Sequence, residues 1–101
     1  MDPERLSDIQ IADVVISTAG RDAGELFYVI ASDAQFLYLV NGKDRTIEKP
    51  KKKKRTHACK VLRSETRVAE KLRNGDKVLN SELRKDLAYL GQKVQSNNLG
   101  G

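Results

Sequence analysis

The stretch ADVVISTAGRDAGELFYVI, residues 12–30, decides the fold. It contains two runs of β-branched and aromatic residues, 14–18 and 26–30, whose side chains alternate with the two-residue period of a strand. Gly20 and Gly24 bracket the connection between the runs, and glycine accepts the positive φ that a tight loop needs. The stretch therefore predicts a β-hairpin whose tip lies between the two glycines.

Part of this hairpin, GRDAGELFYVI at residues 20–30, resembles the KOW motif of ribosomal proteins and transcription elongation factors. It is most similar to the family of eukaryotic large-subunit ribosomal protein fourteen and to small bacterial KOW-containing RNA-binding proteins. The similarity extends more loosely through residues 41–45 to the basic run that ends near His57. The resemblance implies a small five-stranded SH3-like barrel that binds RNA, with a ribosomal role. The motif positions are Gly20, Gly24, Val29 and Gly42, whereas Ala23 and Phe27 stand where many KOW motifs have a basic residue and a glycine.

The length, composition and net charge of the chain limit the class of protein. A chain of 101 residues, 39% hydrophobic and 33% charged, suits one domain with a modest core. The net charge of +5 favours a polyanionic partner, of which nucleic acid is the commonest. Cys59 and His57 are the only residues of their types, which excludes a disulfide framework or a self-contained zinc site and favours a reducing compartment. Without a signal-peptide or membrane-spanning pattern, we expect a soluble cytoplasmic protein that does not contact membranes.

Three further strands are predicted after the hairpin. Residues 36–40, FLYLV, form an unbroken apolar run that predicts a strand covered on both faces. Asn41 and Gly42 favour a type I′ turn, which would return the chain through residues 45–48. Residues 56–62 regain apolar and β-branched character and predict a fifth strand. Five short strands with tight turns suit a small antiparallel barrel of the SH3-like type.

The basic run at residues 49–55, KPKKKKR, has six cations in seven residues. Self-repulsion and Pro50 predict an exposed loop or an extension at the sheet edge. The run is open to three interpretations, namely phosphate binding, a solvated loop, or a nuclear import signal. Loop positions elsewhere would extend the cationic surface. The candidate RNA-binding residues are Arg21, Lys43, Arg45, Lys49, Lys51, Lys52, Lys53, Lys54, Arg55 and His57.

Aromatic residues of the predicted strands are needed mainly for the core, because the chain has no tryptophan. We expect Phe27 and Phe36 to lie inside, so that only Tyr28 or Tyr38 is free to stack on an unpaired base. Cys59 is expected to be a small buried apolar side chain.

After Ser64 the spacing of the apolar residues changes from that of a strand to that of a helix. Val68, Ala69 and Leu72 predict a first short helix that ends at Asn74 and Gly75. A leucine stripe, Leu83, Leu87 and Leu90, predicts a second short helix that begins at Asn80 or Ser81 and ends at Gly91. Helices this short need tertiary packing, and we favour packing on the barrel. The predicted organisation is a barrel over residues 1–62 with a basic loop at 49–55, a helical extension over 63–91 and a disordered tail over 92–101.

No arrangement of residues indicates catalysis, because histidine-based triads, metal clusters and phosphate-cradling lysine loops are missing from the sequence. Asp22 at the hairpin tip is interpreted as an acceptor of local backbone N–H groups. We expect a non-enzymatic protein without a cofactor that binds structured RNA, with ribosomal RNA as the leading candidate and ribosomal or transcription proteins as further partners. The alternative is a protein-interaction adaptor that uses the barrel and the leucine-striped helices.

Overall fold

In the part of the chain that the structure describes, five antiparallel strands form one sheet and two helices follow it. This computed structural model describes the backbone of residues 8–100 and the side chains of residues 8–94, so the first residues of the predicted barrel lie outside it. The strands are β1 (Asp13–Ser17), β2 (Leu26–Ser32), β3 (Phe36–Val40), β4 (Lys51–Lys54) and β5 (Ala58–Arg63). The helices are α1 (Arg67–Asn74) and α2 (Asn80–Gly100), and a single 3-10 turn (Arg55–His57) joins β4 to β5. The mainly β fold predicted from the sequence is confirmed.

The sheet has the order β4-β3-β2-β1-β5, so β4 and β5 are its two edges. These edge strands are not paired with each other, and the barrel is therefore open rather than closed. β1 and β2 form the predicted hairpin, with Val14 opposite Tyr28 and Ile16 opposite Leu26. Within the described residues, no helix is long and apolar enough to cross a membrane.

The connection between β3 and β4 differs from the prediction. Gly42 has a φ of 79°, but Asn41 does not have a positive φ, so the turn is not of type I′. The Asn41 side chain instead accepts the N–H groups of Lys43 at 2.9 Å and Arg45 at 3.1 Å, which stabilises a wider loop. The predicted return strand at residues 45–48 is wrong, because pairing with β3 begins only at Lys51.

Contact with α2 holds this wider loop in place. The Asn80 side chain accepts the N–H of Ile47 at 3.0 Å, and Arg84 donates to the carbonyl oxygen of Gly42 at 2.6 Å. A Cβ on Gly42 would lie 2.3 Å from the backbone oxygen of Asn80. Glycine is therefore required at this position both for its φ and for the close approach of the helix.

Each face of the sheet carries its own apolar cluster. Val14, Tyr28 and Val40 pack with residues of the helices, whereas Phe27 and Leu39 belong to the cluster on the opposite face. The predicted burial of β3 on both faces is confirmed in its second half, where Leu39 and Val40 are both fully buried. The sheet therefore has one face under the helices and one face folded over its own core.

Both helices pack as the sequence indicates, but α2 is longer than predicted. Leu83, Leu87 and Leu90 are buried in the same cluster as the sheet residue Val14, so the stripe packs on the sheet. Gly91 does not end the helix, and the segment predicted as a disordered tail from residue 92 is helical as far as Gly100. A Cβ on Gly91 would lie 3.3 Å from a methyl carbon of Leu26, which indicates that this glycine allows helix and sheet to approach closely.

A polar cluster around Tyr28 ties the helices to the sheet. Its hydroxyl lies 2.7 Å from Oγ of Ser64 and also contacts the carboxylate of Asp86. Thr66 donates to the same carboxylate at 2.8 Å and caps α1 by accepting the N–H of Ala69 at 3.2 Å. Burial, followed by the hydrogen bond to Asp86, raises the pKa of Tyr28 to about 12. Of the two tyrosines considered for stacking, Tyr28 is thus a structural residue.

Candidate nucleic-acid interface

Of the two alternatives predicted for the lysine run, the structure shows the extension at the sheet edge and not the exposed loop. Among the described strands, β4 pairs with β3 alone. Cross-strand partners in an antiparallel pair project to the same face of the sheet. Lys51 and Lys53 lie opposite Leu39 and Leu37 and share their buried face. Lys52 and Lys54 lie opposite Tyr38 and Phe36 on the other face. The four lysines are therefore divided into an inner pair and an outer pair.

The inner Lys53 is buried, with 7% of its surface exposed. Its ammonium donates to Oγ of Ser17 at 2.9 Å, to the backbone oxygen of Ala19 at 2.8 Å and to Oδ1 of Asp22 at 2.9 Å. An ammonium has three donors, and all three are used inside the protein. Lys53 therefore holds the hairpin onto β4, and its prediction as an RNA-binding residue is corrected.

Asp22 is the acceptor at the centre of this arrangement. Burial on its own would raise the pKa of Asp22, but hydrogen bonds from Ser17 and Lys53 and the charges of Lys53 and Lys51 lower it from 3.8 to about 2. The carboxylate Oδ2 lies 3.4 Å from Nζ of Lys51. Asp22 thus binds side chains across the fold, and not the local backbone N–H groups expected for it.

The outer pair of lysines lies beside two aromatic rings. Phe36 and Tyr38 are half-buried, and Lys52 and Lys54 are exposed. The ammonium of Lys52 lies 4.3 Å from the centre of the Phe36 ring, which is within the range of a cation–π contact. We call Lys52, Lys54, Phe36 and Tyr38 the lysine–aromatic face. It combines the two elements that bind single-stranded nucleic acid, namely cations for phosphates and rings for bases.

The other candidates flank this face to different degrees. Lys49 and His57 are exposed near the two ends of β4, and the carbonyl oxygen of His57 accepts the N–H of Thr18 at 2.9 Å. Arg55 follows β4 directly and donates to the carbonyl oxygen of Asp33 at 2.9 Å. These positions extend the cationic surface along the chain beyond the lysine–aromatic face.

Arg21, Arg45 and Lys51 meet in a cleft of about 320 Å³ at the hairpin tip. The same cleft is lined by three carboxylates, those of Asp22, Glu25 and Asp44. We call it the hairpin-tip cleft. Equal numbers of the two signs leave it with no net charge, which disfavours phosphate binding there. Lys43 is exposed and lies in a separate cleft with Glu25 and Arg84.

The glycines of the motif have the conformations that the sequence predicts. Gly20 and Gly24 have φ values of 85° and 93°, and Val29 is fully buried in the core. Two packing predictions are wrong. Phe36 is half-buried rather than internal, and Cys59 is exposed, because its position on β5 faces away from the buried Ala58.

The sequence patterns did not indicate that Phe36 lies beside the exposed lysines of β4. Phe36 is placed there by its cross-strand pairing with Lys54, and this pairing depends on the strand register, which local sequence patterns do not determine.

No group of three or more histidine, cysteine, aspartate or glutamate side chains within the described part of the chain is placed to hold a metal ion. No protein-family model and no curated protein matches this chain.

Proposed function

We propose that this protein is a non-catalytic RNA-binding protein that holds RNA on the lysine–aromatic face. The observation that supports this most strongly is the arrangement of the exposed Lys52 and Lys54 beside the half-buried Phe36 and Tyr38. Lysines bind backbone phosphates and release counterions, while ring faces stack on bases of any sequence. Lys49, Arg55 and His57 would extend the phosphate contacts at the two ends of β4.

The resemblance of residues 20–30 to the KOW hairpin supports a more specific form of the proposal. On that basis the RNA is structured RNA, with ribosomal RNA as the first candidate, and the protein acts in translation in the cytoplasm. Recognition would depend on charge and shape, with stacking on unpaired bases at a loop or bulge, because single-stranded elements are where aromatic side chains reach the bases.

The leucine stripe was the main feature that favoured a protein-interaction adaptor, and it is not exposed. Leu83, Leu87 and Leu90 are buried against the sheet and are not available to a partner. A protein partner would have to use another surface of the chain.

Crosslinking identifies the RNA and the contact site together. Ultraviolet crosslinking in cells, followed by sequencing of the bound RNA and mass spectrometry of the protein, should recover one region of ribosomal RNA. The crosslinked peptides should contain Phe36 or Tyr38. Recovery of partner proteins without RNA would contradict the proposal and favour an adaptor.

A charge-neutral pair of variants then tests the stacking. Phe36→Leu keeps an apolar residue opposite Lys54 but removes the ring, and it should lose the roughly 1 to 3 kcal/mol that stacking on one base provides. Tyr89→Leu is the matched control, because Tyr89 is a 52% exposed aromatic residue of α2 outside the proposed face. Equal RNA affinities for the two variants would remove Phe36 from the site.

A further inference from the structure

A cleft of about 410 Å³ is lined by three arginines, Arg55, Arg63 and Arg73. These arginines come from the 3-10 turn, the end of β5 and helix α1. The remaining lining includes the exposed Ile11 and Ser32 of β2. No acidic residue lines this cleft among the described residues, in contrast to the hairpin-tip cleft. We call it the arginine cleft.

Backbone carbonyl groups orient two of the three guanidinium groups. Arg55 donates to the carbonyl oxygens of Asp33 at 2.9 Å and Ile9 at 3.3 Å, and Arg73 donates to the carbonyl oxygen of Ser64. For Arg73, the carbonyl oxygen fixes the direction of the guanidinium without cancelling its charge. Arg73 forms no ion pair with any described carboxylate, so its positive charge is retained in the cleft.

The third arginine, Arg63, forms only a weak ion pair that a bound anion could replace. Arg63 pairs with Glu65 at 3.0 Å, but 56% and 76% of the two side chains are exposed. Such an exposed pair is worth only about 0 to 1 kcal/mol, so an anion with more than one oxygen can take its place. The planar fork of an arginine matches two oxygens of a phosphate, and a cleft lined by one sign of charge concentrates anions.

The apolar wall of the cleft favours a nucleotide over an inorganic anion. The side chain of Ile11 is 41% exposed and lines the same cleft as the three arginines. Its apolar surface offers nothing to a free phosphate ion but can pack on a ribose. Arg55 also lines a neighbouring cleft with Lys54, which connects the arginine cleft to the lysine–aromatic face.

We infer that the arginine cleft binds a backbone phosphate of the same RNA that lies on the lysine–aromatic face. This inference rests on the proposed function. The RNA backbone would pass from Lys54 over Arg55 and place one phosphate between Arg63 and Arg73. The cleft would recognise a phosphate group, which free phosphate and RNA both provide. In this proposal the phosphate belongs to a polynucleotide.

The test compares two exposed arginines by fluorescence anisotropy with a labelled structured RNA over a range of salt concentrations. Arg63→Gln should weaken binding and reduce the slope of log affinity against log salt by about 0.7 to 0.9, the contribution of one phosphate. Arg67→Gln removes the same charge from an exposed position of α1 outside the cleft and should leave the slope unchanged. Thermal melts of both variants should match the parent protein.

Titration of the unmodified protein separates the two sources of phosphate. The Nε–H resonances of Arg63 and Arg73 in NMR spectra should shift with the labelled RNA at concentrations far below those needed with inorganic phosphate. RNA binding that depends on Lys52 and Lys54 but is equal in Arg63→Gln and Arg67→Gln would overturn the arginine cleft while leaving the proposed function intact. Shifts with inorganic phosphate in a protein that does not bind RNA would overturn the RNA source, and the proposed function with it.

Discussion

Strand β4 places four lysines in succession, and its two faces give them opposite roles. On the inner face, Lys53 is buried and donates to three acceptors, among them Asp22. On the outer face, Lys52 and Lys54 are exposed beside half-buried aromatic rings. The comparison teaches that the strand register, and not the residue type, decides whether a lysine supports the fold or remains available to a ligand.

The largest expected effect is on stability, and it separates the two faces directly. Lys53→Met should destabilise the protein by roughly 3 kcal/mol, because three acceptors lose their donor and the Asp22 carboxylate keeps only the more distant Lys51 as an ion-pair partner. Lys54→Met is the matched control on the outer face and should stay within about 0.5 kcal/mol of the parent. The measurement is the free energy of unfolding from denaturant titrations. Equal midpoints for the two variants would contradict the division of β4 into two faces.

Acid should weaken the inner face through the Asp22 carboxylate. The pKa of Asp22 falls from 3.8 to about 2 on folding, so its contribution is fully present above the unfolded value and is lost as the pH falls towards about 2. Lys53→Met removes a hydrogen bond and a charge that lower this pKa, so the variant should lose less stability over the same range. Denaturant titrations between about pH 5 and pH 2 measure the difference. Four exposed or half-buried carboxyl groups elsewhere also have a lowered pKa and contribute equally to both proteins, namely Asp33, Asp44, Glu48 and Glu82. Parallel curves would show that Lys53 does not set the pKa of Asp22.

A pair of tyrosines extends the comparison to β2 and β3. Tyr28→Phe removes the hydroxyl that contacts Ser64 and the Asp86 carboxylate, and it should cost roughly 1 to 3 kcal/mol because buried partners lose a hydrogen bond. Tyr38→Phe removes a hydroxyl whose contact with Asp33 is exposed and 3.5 Å long, and it should have little effect. The measurement is the melting temperature of each variant. A melting temperature of Tyr28→Phe equal to that of Tyr38→Phe would show that the buried cluster adds no stability.

Local sequence patterns predicted much of the fold. Local patterns predicted the alternation around Val14 and Tyr28, the glycines of the hairpin and the left-handed Gly75 after α1, because each depends on neighbours along the chain. The leucine stripe of α2 was predictable for the same reason. The prediction that Gly91 ends a helix is wrong, because this glycine is instead constrained by the approach of Leu26, which lies far away in the sequence.

The candidate site was harder to predict, because the local signals in the run, charge repulsion and Pro50, are compatible with either a loop or an edge strand. The sequence could not show that Asp22 crosses to Lys53, a residue 31 positions later, and thereby allows a lysine run to form a strand. It could not pair Phe36 with Lys54 either, since the predicted return strand began too early. Arg63 and Arg73 belong to different elements and come together only in the folded chain.

The salt dependence of RNA binding tests the central claim most directly. The double variant Lys52→Gln/Lys54→Gln removes the outer pair, and Lys77→Gln/Lys85→Gln removes two exposed lysines of the helical region with the same change in net charge. With a structured ribosomal RNA fragment, the slope of log affinity against log salt should fall by about 1.5 for the outer pair, the contribution of two phosphates. It should stay at the parent value for the control, and both variants should melt like the parent protein. Equal slopes for the two double variants would contradict RNA binding on the outer face of β4.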